Sequence, residues 1–577
     1  MDNAAIARVL TELADVLELS GETVFKVRAF RTAARAIEGL GERAEELLAS
    51  GGLAKVKGVG DGVIRRLKEL RETGKIAELE AARAKLPPGI TELMNLPGIG
   101  LKTAQQVWKE RGITTIEELE AAARAGSLRT LPRFGDKREE KLILAIEAFR
   151  KRASQPKRRP MAEALELAEA LVAKLGVLPG VVSCQYAGSL RRRMETVGDL
   201  DILVSADAAH AGAILDAFCA MPEVTEHLGK GDTKASVVLD NGMQADLRVV
   251  PEASFGAALQ YFTGSKDHNV AMRTIAVKHG LKVSEYGVFD ASGKSLAGPD
   301  EAGVYRAVGL AWMPPELREN RGEIEASQDG RLPALVEQGD IRGDLHMHTR
   351  ESDGKSTIEE MAQAAIHVNY KYIAITDHSE NLAIARGMTP ERLRAHVRRI
   401  READDALDGK IRLLAGVEAD ILADGSLDLE GELAELDWVV GSVHGQLAMP
   451  REQMTKRLVR AIESGKIDCV GHPTGRMLGH RDGSELDWEA VLDACARTGT
   501  AVELNSSPLR LDVTEHAARA ARERGVPVVL NSDAHSTREL AFVKYGIGIA
   551  RRAWLGKEHI LNTRSREEIR AWRSARA

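Results

Sequence analysis

Apolar residues recur at helical spacing at the start of the chain. Ile6, Val9, Leu10, Leu13 and Leu17 fall three or four positions apart, which is typical of the buried face of an amphipathic helix. Further along, from about residue 161, apolar β-prone runs alternate with amphipathic segments. The pattern therefore predicts a helical N-terminal region followed by domains of mixed helix and strand.

Three short segments of the helical region combine an apolar residue, a glycine turn and a helix start. The first two contain Gly58-Val-Gly60 and Gly98-Ile-Gly100. Glycine lets the backbone approach a phosphate, and the free amides of the following helix can bind it. One copy would suit an ordinary αα turn, but the repetition predicts DNA binding without base specificity. In the third copy Arg133 replaces the first glycine, so that turn is compatible with a packing role alone.

The stretch from 188 to 201, GSLRRRMETVGDLD, has the strongest chemical signal of the mixed region. Asp199 and Asp201 lead into the β-prone run Ile-Leu-Val, and strand residues two apart point to the same face. Adjacent carboxylates repel each other unless a cation lies between them, and hard ions such as Mg²⁺ or Mn²⁺ prefer such oxygens. Asp246, in a second strand-like run, provides a third carboxylate. The set predicts two-metal phosphoryl transfer, with Arg192 and the Gly-Ser turn near the phosphates, although Gly-Asp-x-Asp alone would suit an exposed turn.

A further segment, YFTGS at 261–265, predicts a turn that enters a helix. On that helix Asn269 and Arg273 are four residues apart and therefore share a face.

Histidines and carboxylates follow strand-like runs throughout the last 240 residues. Helical patterns separate these runs, so the region predicts a parallel α/β barrel, in which chemistry collects at the carboxyl ends of the strands. A single histidine of this kind is usually structural, but six strand ends carry such groups. Mixed imidazole and carboxylate ligands favour Zn²⁺ or Mn²⁺ and predict phosphoester hydrolysis. The candidate ligands are His346, His348, Asp353, His378, Glu418, His444, His472, Asp533 and His535.

Composition limits the remaining possibilities. The chain has 577 residues and a formal charge of −6, which suits three to four domains. We find no apolar run of about 18 residues and no signal peptide, so we expect a soluble, cytoplasmic protein without membrane association. The sequence leaves the oligomeric state open, and a monomer is the default expectation. The four cysteines are scattered in apolar surroundings, which predicts buried thiols rather than disulfides.

Taken together, these motifs resemble the family X DNA polymerases of the polymerase beta type. The resemblance spans residues 1 to about 318 and rests on the hairpins, GSLRR, GDLD, QADLR and YFTGS with its following N-x-x-x-R. It implies gap filling on gapped or primer-template DNA with deoxynucleoside triphosphates. Asp199 and Asp201 would bind both metal ions, and Asp246 would bind the ion that activates the primer 3′-hydroxyl.

The same resemblance assigns contacts to the nucleotide and the DNA. The triphosphate would lie against Gly188, Ser189, Arg192 and Gly198, and the sugar against Tyr261, Phe262 and Gly264. Asn269 would touch the base or the minor-groove side of the nucleotide, and Arg273 the template strand. The hairpin glycines Gly58, Gly60, Gly98 and Gly100 would contact the DNA backbone.

Two positions depart from the family pattern. Gln244 stands where polymerase beta has an arginine that orients the third aspartate. Arg66 stands at the position of the lysine used by members that excise deoxyribose phosphate, and Lys68 would face elsewhere on the helix. Because an arginine stays protonated and forms no Schiff base, we predict no efficient lyase activity.

The C-terminal part, from about 341 to 570, resembles a PHP (polymerase and histidinol phosphatase) domain. The resemblance implies up to three metal ions and a 3′→5′ exonuclease or 3′-end phosphodiesterase, including action at abasic sites. One ion would take His346, His348, Glu418 and Asp533; a second Glu418, His444 and His472; a third Asp353, His378 and His535. Five other histidines fit no motif and are expected on the surface or in helices: His367, His396, His480, His516 and His559.

The expected fold class is multidomain: all-α helix-hairpin-helix domains, an α+β nucleotidyltransferase palm with a thumb, and a C-terminal α/β PHP barrel. The expected boundaries are 1–85 and 86–155 for the two hairpin domains, 156–255 for the palm, 256–318 for the thumb, 319–340 for a linker and 341–577 for the PHP domain. Three rival interpretations remain open: a nuclease whose N-terminal half only grips DNA, a template-independent nucleotidyltransferase, and a non-enzymatic scaffold at DNA ends.

Overall fold

The protein is described from a computed structural model that covers most of the chain. The residues described are 3–20, 22–38, 44–49, 51–56, 58–73, 75–83, 86–87, 89–93, 96, 99, 101–131, 134–135, 139, 142–146 and 158–576. They belong to two compact units, Met1–Lys157 and Arg158–Ala577. The predictions for Gly98, Gly100 and Arg133 fall outside the described residues.

The first unit is helical, as the periodicity predicts, and Leu10, Leu13 and Leu17 are buried on one face of its first helix. At the first hairpin Gly58 has φ +97°, and a Cβ there would lie 2.9 Å from Thr32 Cγ2, so only glycine fits without displacement. The described helices of this unit are α1 (Asn3–Leu19), α2 (Val24–Glu38), α3 (Ala44–Ala49), α4 (Asp61–Thr73), α5 (Ala77–Arg83), α6 (Ile90–Leu93), α7 (Leu101–Arg111) and α8 (Ile116–Arg124).

The second unit begins with a palm built on a five-stranded sheet of order β2-β4-β7-β6-β5. Its strands are β1 (Arg159–Pro160), β2 (Val181–Tyr186), β3 (Thr196–Val197), β4 (Asp199–Ala206), β5 (Val224–Lys230), β6 (Lys234–Leu239) and β7 (Gln244–Val250). Its helices are α9 (Met161–Gly176), α10 (Gly188–Arg191) and α11 (Ala208–Cys219). Residues 159 and 160 pair with β3 and therefore belong to the palm.

The thumb follows with α12 (Phe255–Thr263), α13 (Lys266–Lys278), a small sheet of β8 (Lys282–Ser284), β9 (Gly287–Phe289) and β10 (Ser295–Ala297), and α14 (Glu301–Ala307). The predicted turn at 261–265 is shorter than expected. Tyr261 and Phe262 belong to the last turn of α12, and only Gly264 and Ser265 separate it from α13.

The C-terminal part is a sheet of seven parallel strands in sequential order, which curls into a nearly closed barrel. Met347 bridges to Ala534 and so brings the first strand beside the last. The strands are β11 (Gly343–Asp344), β12 (Tyr372–Ile375), β13 (Arg412–Asp420), β14 (Trp438–Ser442), β15 (Cys469–Val470), β16 (Ala501–Asn505) and β17 (Val528–Asn531). The helices from here on are α16 (Ile358–His367), α17 (Pro390–Ala406), α18 (Arg451–Glu463), α19 (Trp488–Thr498), α20 (Glu515–Glu523), α21 (Val543–Arg552) and α22 (Arg566–Ser574).

The predicted linker, residues 319–340, is a folded segment that contains α15 (Glu323–Gln328). The buried Glu323 accepts a hydrogen bond of 2.7 Å from His268 Nδ1 of the thumb. Val336 donates to the carbonyl of Leu555 in the barrel domain at 3.0 Å. Because the buried apolar side chains of palm and barrel also form one continuous cluster, the two domains are packed together.

The cysteines partly follow the prediction of buried thiols. Cys469 and Cys495 are buried, whereas Cys184 and Cys219 are only partly covered, and all four are free. Within the described residues, no helix is both long and apolar enough to cross a bilayer.

A buried ion group joins the palm to the thumb and gives a stability prediction. Glu301 of α14 accepts hydrogen bonds from Arg191 of α10 at 2.7 and 2.8 Å and from the buried Arg318 at 2.7 Å. Burial alone would raise the pKa of Glu301, but the two guanidinium groups lower it to about 2. The stabilisation is therefore complete above the ordinary glutamate pKa and is lost as the pH falls towards 2.

We expect Glu301→Gln to lower the melting temperature at pH 7, because it leaves two buried cations without their carboxylate, at a cost of about 3 kcal/mol. The difference in melting temperature between the variant and wild type should become smaller as the pH falls from about 5 towards 2, measured by thermal unfolding at a series of pH values. Glu252→Gln, at an exposed site, is the matched control. A difference in melting temperature that grows in acid would contradict the stabilising role of the ionised Glu301.

Candidate functional sites

Three carboxylates meet on one face of the palm sheet. β4 and β7 are parallel neighbours in which Asp201 lies directly opposite Asp246, and Asp199 lies opposite Gln244. Asp199 and Asp201 are two apart on β4 and so share a face. The prediction that neighbouring strands bring three acidic side chains together is therefore confirmed as geometry.

The electrostatics of this cluster are those of a cation site. Burial, and then the charges of Asp199 and Asp246, raise the pKa of Asp201 to about 6. Burial and then Asp246 also raise the pKa of Asp199. Burial opposes ionisation of Asp246 as well, yet hydrogen bonds from Lys234 and Gln244 lower its pKa. Crowded anions of this kind are stabilised when divalent cations bind between them.

Gln244 and Lys234 both contact the carboxylate of Asp246, although Gln244 stands where the resemblance leads us to expect an arginine. Gln244 Nε2 donates to Asp246 Oδ1 at 3.0 Å, and Lys234 Nζ lies 2.5 Å from Asp246 Oδ2. Lys234 comes from β6, the neighbouring strand. The third carboxylate is thus held from two sides without the arginine.

The Gly-Ser segment forms the first turn of the short helix α10 rather than an open turn. Gly188 has φ +64°, and a Cβ there would lie 2.2 Å from Asp201 Oδ2. Glycine is therefore required for the helix start to approach the carboxylate. Ser189 is the next residue of α10, and Gly198 directly precedes β4. Their contacts with a triphosphate stay predictions.

The residues predicted to contact the sugar and base surround the α12–α13 junction. Tyr261 and Phe262 meet edge to face at 5.1 Å between ring centroids. A Cβ added at Gly264 would lie 3.3 Å from Arg192 Nη1, so the backbone there is close to the guanidinium. Asn269 is 7% exposed and donates to the Tyr261 carbonyl at 2.8 Å. Gln260 Nε2 donates to Asn269 Oδ1 at 2.7 Å. Asn269 therefore supports the backbone at Tyr261, and the contact of Asn269 with a base stays a prediction. Arg273 lies one turn further along α13 and is partly exposed.

The barrel places its histidines around one buried carboxylate, Glu418 of β13. Five imidazole nitrogens lie within 3.6 Å of its two oxygens, and the burial of the set is nearly complete. The contacts of Oε1 are with His346 at 3.4 Å, His444 at 3.3 Å and His472 at 3.0 Å, and those of Oε2 are with His348 at 3.6 Å and His378 at 2.7 Å.

Two further carboxylates complete the cluster. Asp533 Oδ1 lies 3.2 Å from His348 Nε2 and 3.7 Å from His346 Nε2. Asp353 lies 3.5 Å from His378 Nε2 and 3.4 Å from His535 Nε2. The side chains that could share one ion differ in part from the predicted sets, because His348 approaches Asp353 and His378 approaches Glu418.

The buried polar atoms of this cluster fit metal ions. Among the described residues, several buried atoms that face the cluster have no hydrogen-bond partner: His346 Nε2, His348 Nδ1, His378 Nδ1, His444 Nε2 and both oxygens of Glu418. In folded proteins the large majority of buried polar side-chain atoms have a partner, so a concentration of unpaired atoms in one place indicates a site for a ligand. Nitrogen–oxygen separations of 3.0–3.7 Å are those of ligands about 2.0–2.2 Å from a shared ion.

The charges in the cluster are strongly coupled. Burial lowers the pKa of a histidine, but Glu418 and Asp353 outweigh it at His378 and raise the pKa to about 10. At His348 burial and then the neighbouring His535 and His378 lower the pKa to about 4. Metal ions would replace these protons as the counter-charges of the carboxylates.

Sequence reasoning missed a supporting layer of acidic residues. Glu503 of β16 accepts a hydrogen bond of 2.7 Å from His346 Nδ1, which fixes the imidazole so that Nε2 faces Glu418. Asp377 accepts hydrogen bonds from the backbone and side chain of Thr349. A charged residue within an apolar strand, as in Ala-Val-Glu503-Leu, was the available signal.

One histidine without a motif is buried and not on the surface. His396 of α17 is 1% exposed, and its Nε2 lies 2.9 Å from Asp377 Oδ2. Its position in α17 agrees with the expectation that these histidines lie on the surface or in helices, although its imidazole is buried.

A cavity of about 250 Å³ opens onto the histidine cluster. Arg510 lies in its wall with Nε 3.4 Å from Asp533 Oδ2 and gives the otherwise acidic pocket a guanidinium group. The lining residues are Asp353, His378, Leu382, Ile384, Ala385, His444, His472, Arg510, Asp533 and His535. The pocket can therefore admit one end of a phosphoester to several ligand atoms at once.

Comparison with known proteins follows the same division of the chain. The DNA polymerase beta thumb family matches residues 258–319, and helix-hairpin-helix families match 1–76, 50–110 and 90–148. The PHP domain family matches 344–507. The DNA polymerase/3′-5′ exonuclease PolX of Bacillus subtilis (strain 168) is 39% identical over 580 residues, covering 99% of this chain and 99% of the relative. The chain belongs to the PolX family of DNA polymerases.

Two further relatives match only part of the chain. DNA polymerase lambda of Rattus norvegicus is 27% identical over 293 residues, covering 46% of the chain and 48% of the relative. A probable phosphatase of Thermoanaerobacter sp. (strain X514) is 29% identical over 232 residues, covering 38% of the chain and 89% of the relative.

Proposed function

We propose that the protein is a DNA polymerase that fills short gaps during DNA repair and a 3′→5′ exonuclease that trims or cleans 3′ ends. The observation that carries the polymerase assignment is the pairing of Asp201 with Asp246 on adjacent parallel strands, with Asp199 on the same face. Whole-length similarity to a polymerase/exonuclease supports both activities in one chain. The polymerase would occupy residues up to about 318 and the nuclease residues 341–577.

In the palm, Asp199, Asp201 and Asp246 would hold Mg²⁺ or Mn²⁺. Such ions lower the pKa of a primer 3′-hydroxyl and offset the charge of a triphosphate. Lys234 and Gln244 hold the carboxylate of Asp246 in place. Arg192, whose Nη1 donates to the carbonyl of Thr263 beside Gly264, would bind the phosphates of the incoming nucleotide. Tyr261 would lie against its sugar.

In the barrel, the nine predicted ligands would hold up to three ions of the Zn²⁺ or Mn²⁺ type, because imidazole and carboxylate suit both. Bound ions of this kind lower the pKa of a water molecule and neutralise a phosphate oxygen. Glu503 fixes His346, and Arg510 would contact the phosphate that enters the cavity. Phosphodiester hydrolysis at a 3′ end would follow from this arrangement.

DNA would be bound through the helix-hairpin-helix units, in which Gly60 directly precedes helix α4. The contact is with the backbone phosphates, so we expect little dependence on base sequence and a marked dependence on salt. We further propose that the protein acts as a monomer in the cytoplasm.

Purified full-length protein tests the proposal directly. With Mg²⁺ and all four nucleotides, we expect extension of a primer across a short gap and little product from a single strand without template. With Mn²⁺ and no nucleotides, we expect stepwise shortening from the 3′ end. Extension of the untemplated strand would favour a template-independent nucleotidyltransferase, trimming without extension a nuclease that only grips DNA, and the absence of turnover with either ion a scaffold at DNA ends.

A further inference from the structure

The guanidinium of Arg192 is held by two acceptors in the structure. Its Nη1 donates to the Thr263 carbonyl at 2.6 Å, and its Nε donates to Glu319 Oε1 at 3.0 Å. Thr263 ends the helix that carries Tyr261, whereas Glu319 begins the segment between thumb and barrel. A carboxylate on the predicted phosphate-binding arginine competes with an anionic ligand unless its charge is neutralised elsewhere.

The neutralising group comes from the barrel domain. Arg552, the last residue of α21, is 4% exposed and donates from Nη1 to Glu319 Oε1 at 2.8 Å. The same Nη1 donates to the backbone carbonyl of Arg192 at 2.6 Å. Arg552 therefore contacts both the main chain of Arg192 and the carboxylate that binds its side chain.

The charged side chains joined through Glu319 and Arg552 carry an excess of positive charge. Arg552 Nε also contacts Glu515, whose other oxygen lies 2.5 Å from Arg321 Nη1. The chain of contacts thus joins three guanidinium groups, those of Arg192, Arg321 and Arg552, to two carboxylates. A buried or partly buried network of this kind is balanced by one further anion, which a nucleotide phosphate would supply at Arg192.

We propose that Arg552 is a positioning residue of the nucleotide site: by neutralising Glu319 it leaves the charge of Arg192 available to the incoming triphosphate. The inference rests on the proposed polymerase function and extends it to a residue of the nuclease domain. It makes the barrel a part of the polymerase active site rather than an appended module.

The test measures the KM for the nucleotide in gap filling by the full-length protein. Arg552→Gln removes the charge and keeps a donor for the Arg192 carbonyl, so we expect the KM to rise about tenfold while kcat changes less than about threefold. Arg552→Met should behave alike. The matched control is Arg551→Met in the same helix, because Arg551 pairs with Glu316 instead and should leave the KM within threefold.

A second substitution separates charge from structure. In the double variant Arg552→Gln/Glu319→Gln the competing carboxylate is gone, so the KM should return to within about threefold of wild type. The dissociation constant of the nucleotide from the complex of the protein with gapped DNA, measured with a dideoxy-terminated primer that prevents chemistry, should rise in Arg552→Gln and recover in the double variant. Trimming of 3′ ends, within threefold of wild type, would show that each variant is folded.

An unchanged KM in a folded Arg552 variant, or a raised KM that Glu319→Gln does not restore, would overturn the inference. Both outcomes differ from failure of the proposed function, in which the wild-type protein itself would not fill the gap.

Discussion

Asp201→Asn is expected to lower primer extension on gapped DNA by at least about 10³-fold. Asp201 is two residues from Asp199 on β4 and lies directly opposite Asp246 on β7. The substitution keeps the shape of the side chain but removes one negative charge from the set that would hold the metal ions. The measurement is single-turnover extension by the full-length protein with saturating Mg²⁺.

The same variant should be more stable than wild type when both are free of metal. Burial and charge repulsion raise the pKa of Asp201 to about 6, so an uncharged amide relieves part of that repulsion. Addition of Mg²⁺ or Mn²⁺ should then raise its melting temperature less than that of wild type. Asp232→Asn, at an exposed loop site, is the matched control. Extension above about a tenth of the wild-type rate would refute the role of Asp201.

Glu418→Gln is expected to lower the rate of 3′ trimming by at least about 10³-fold, while gap filling is retained. Five imidazoles lie around this carboxylate, and the pKa of Glu418 is held well below its ordinary value, because the nearby histidine charges outweigh the effect of burial. The substitution removes the one carboxylate that faces all of them. The metal content of the purified protein, measured by mass spectrometry, should fall together with the nuclease rate.

Two comparisons make this result specific. Glu402→Gln changes an exposed glutamate of the same domain and should retain both the metal and the nuclease activity. Asp201→Asn should show the reciprocal pattern, with trimming intact and extension lost. If Glu418→Gln lost both activities at an unchanged melting temperature, a single shared site would replace the two sites proposed here.

The fold follows from the sequence wherever a local pattern decides it. Helical spacing of Leu10, Leu13 and Leu17 predicts the first helix, and the alternation of strands and helices predicts the barrel, whose strands are indeed parallel and sequential. Element boundaries follow less closely from the sequence, because the last turn of a helix and an open turn have similar composition. The sequence therefore predicts a turn at Tyr261 and Phe262, although they end α12.

The sites were predictable to the extent that their residues follow strands. Asp199 and Asp201 are recognisable by their spacing, as are His346 and His348, since a strand places alternate residues on one face. Glu503 lacks such a partner in sequence, and its bond to His346 spans 157 residues. His396 has the sequence pattern of an ordinary helical residue, because its contact with Asp377 depends on tertiary packing and has no local signal.

The sequence by itself determined the candidate aspartates and histidines and the strands that they belong to or follow, because the period of a strand is a local property. Tertiary structure alone decided which of them lie close enough to share an ion and which side chains lie behind them. It also decided that Arg552, 360 residues after Arg192, reaches its carbonyl. Such pairings depend on which strands become neighbours and on how two domains pack, and both are set by the whole buried core rather than by any one segment.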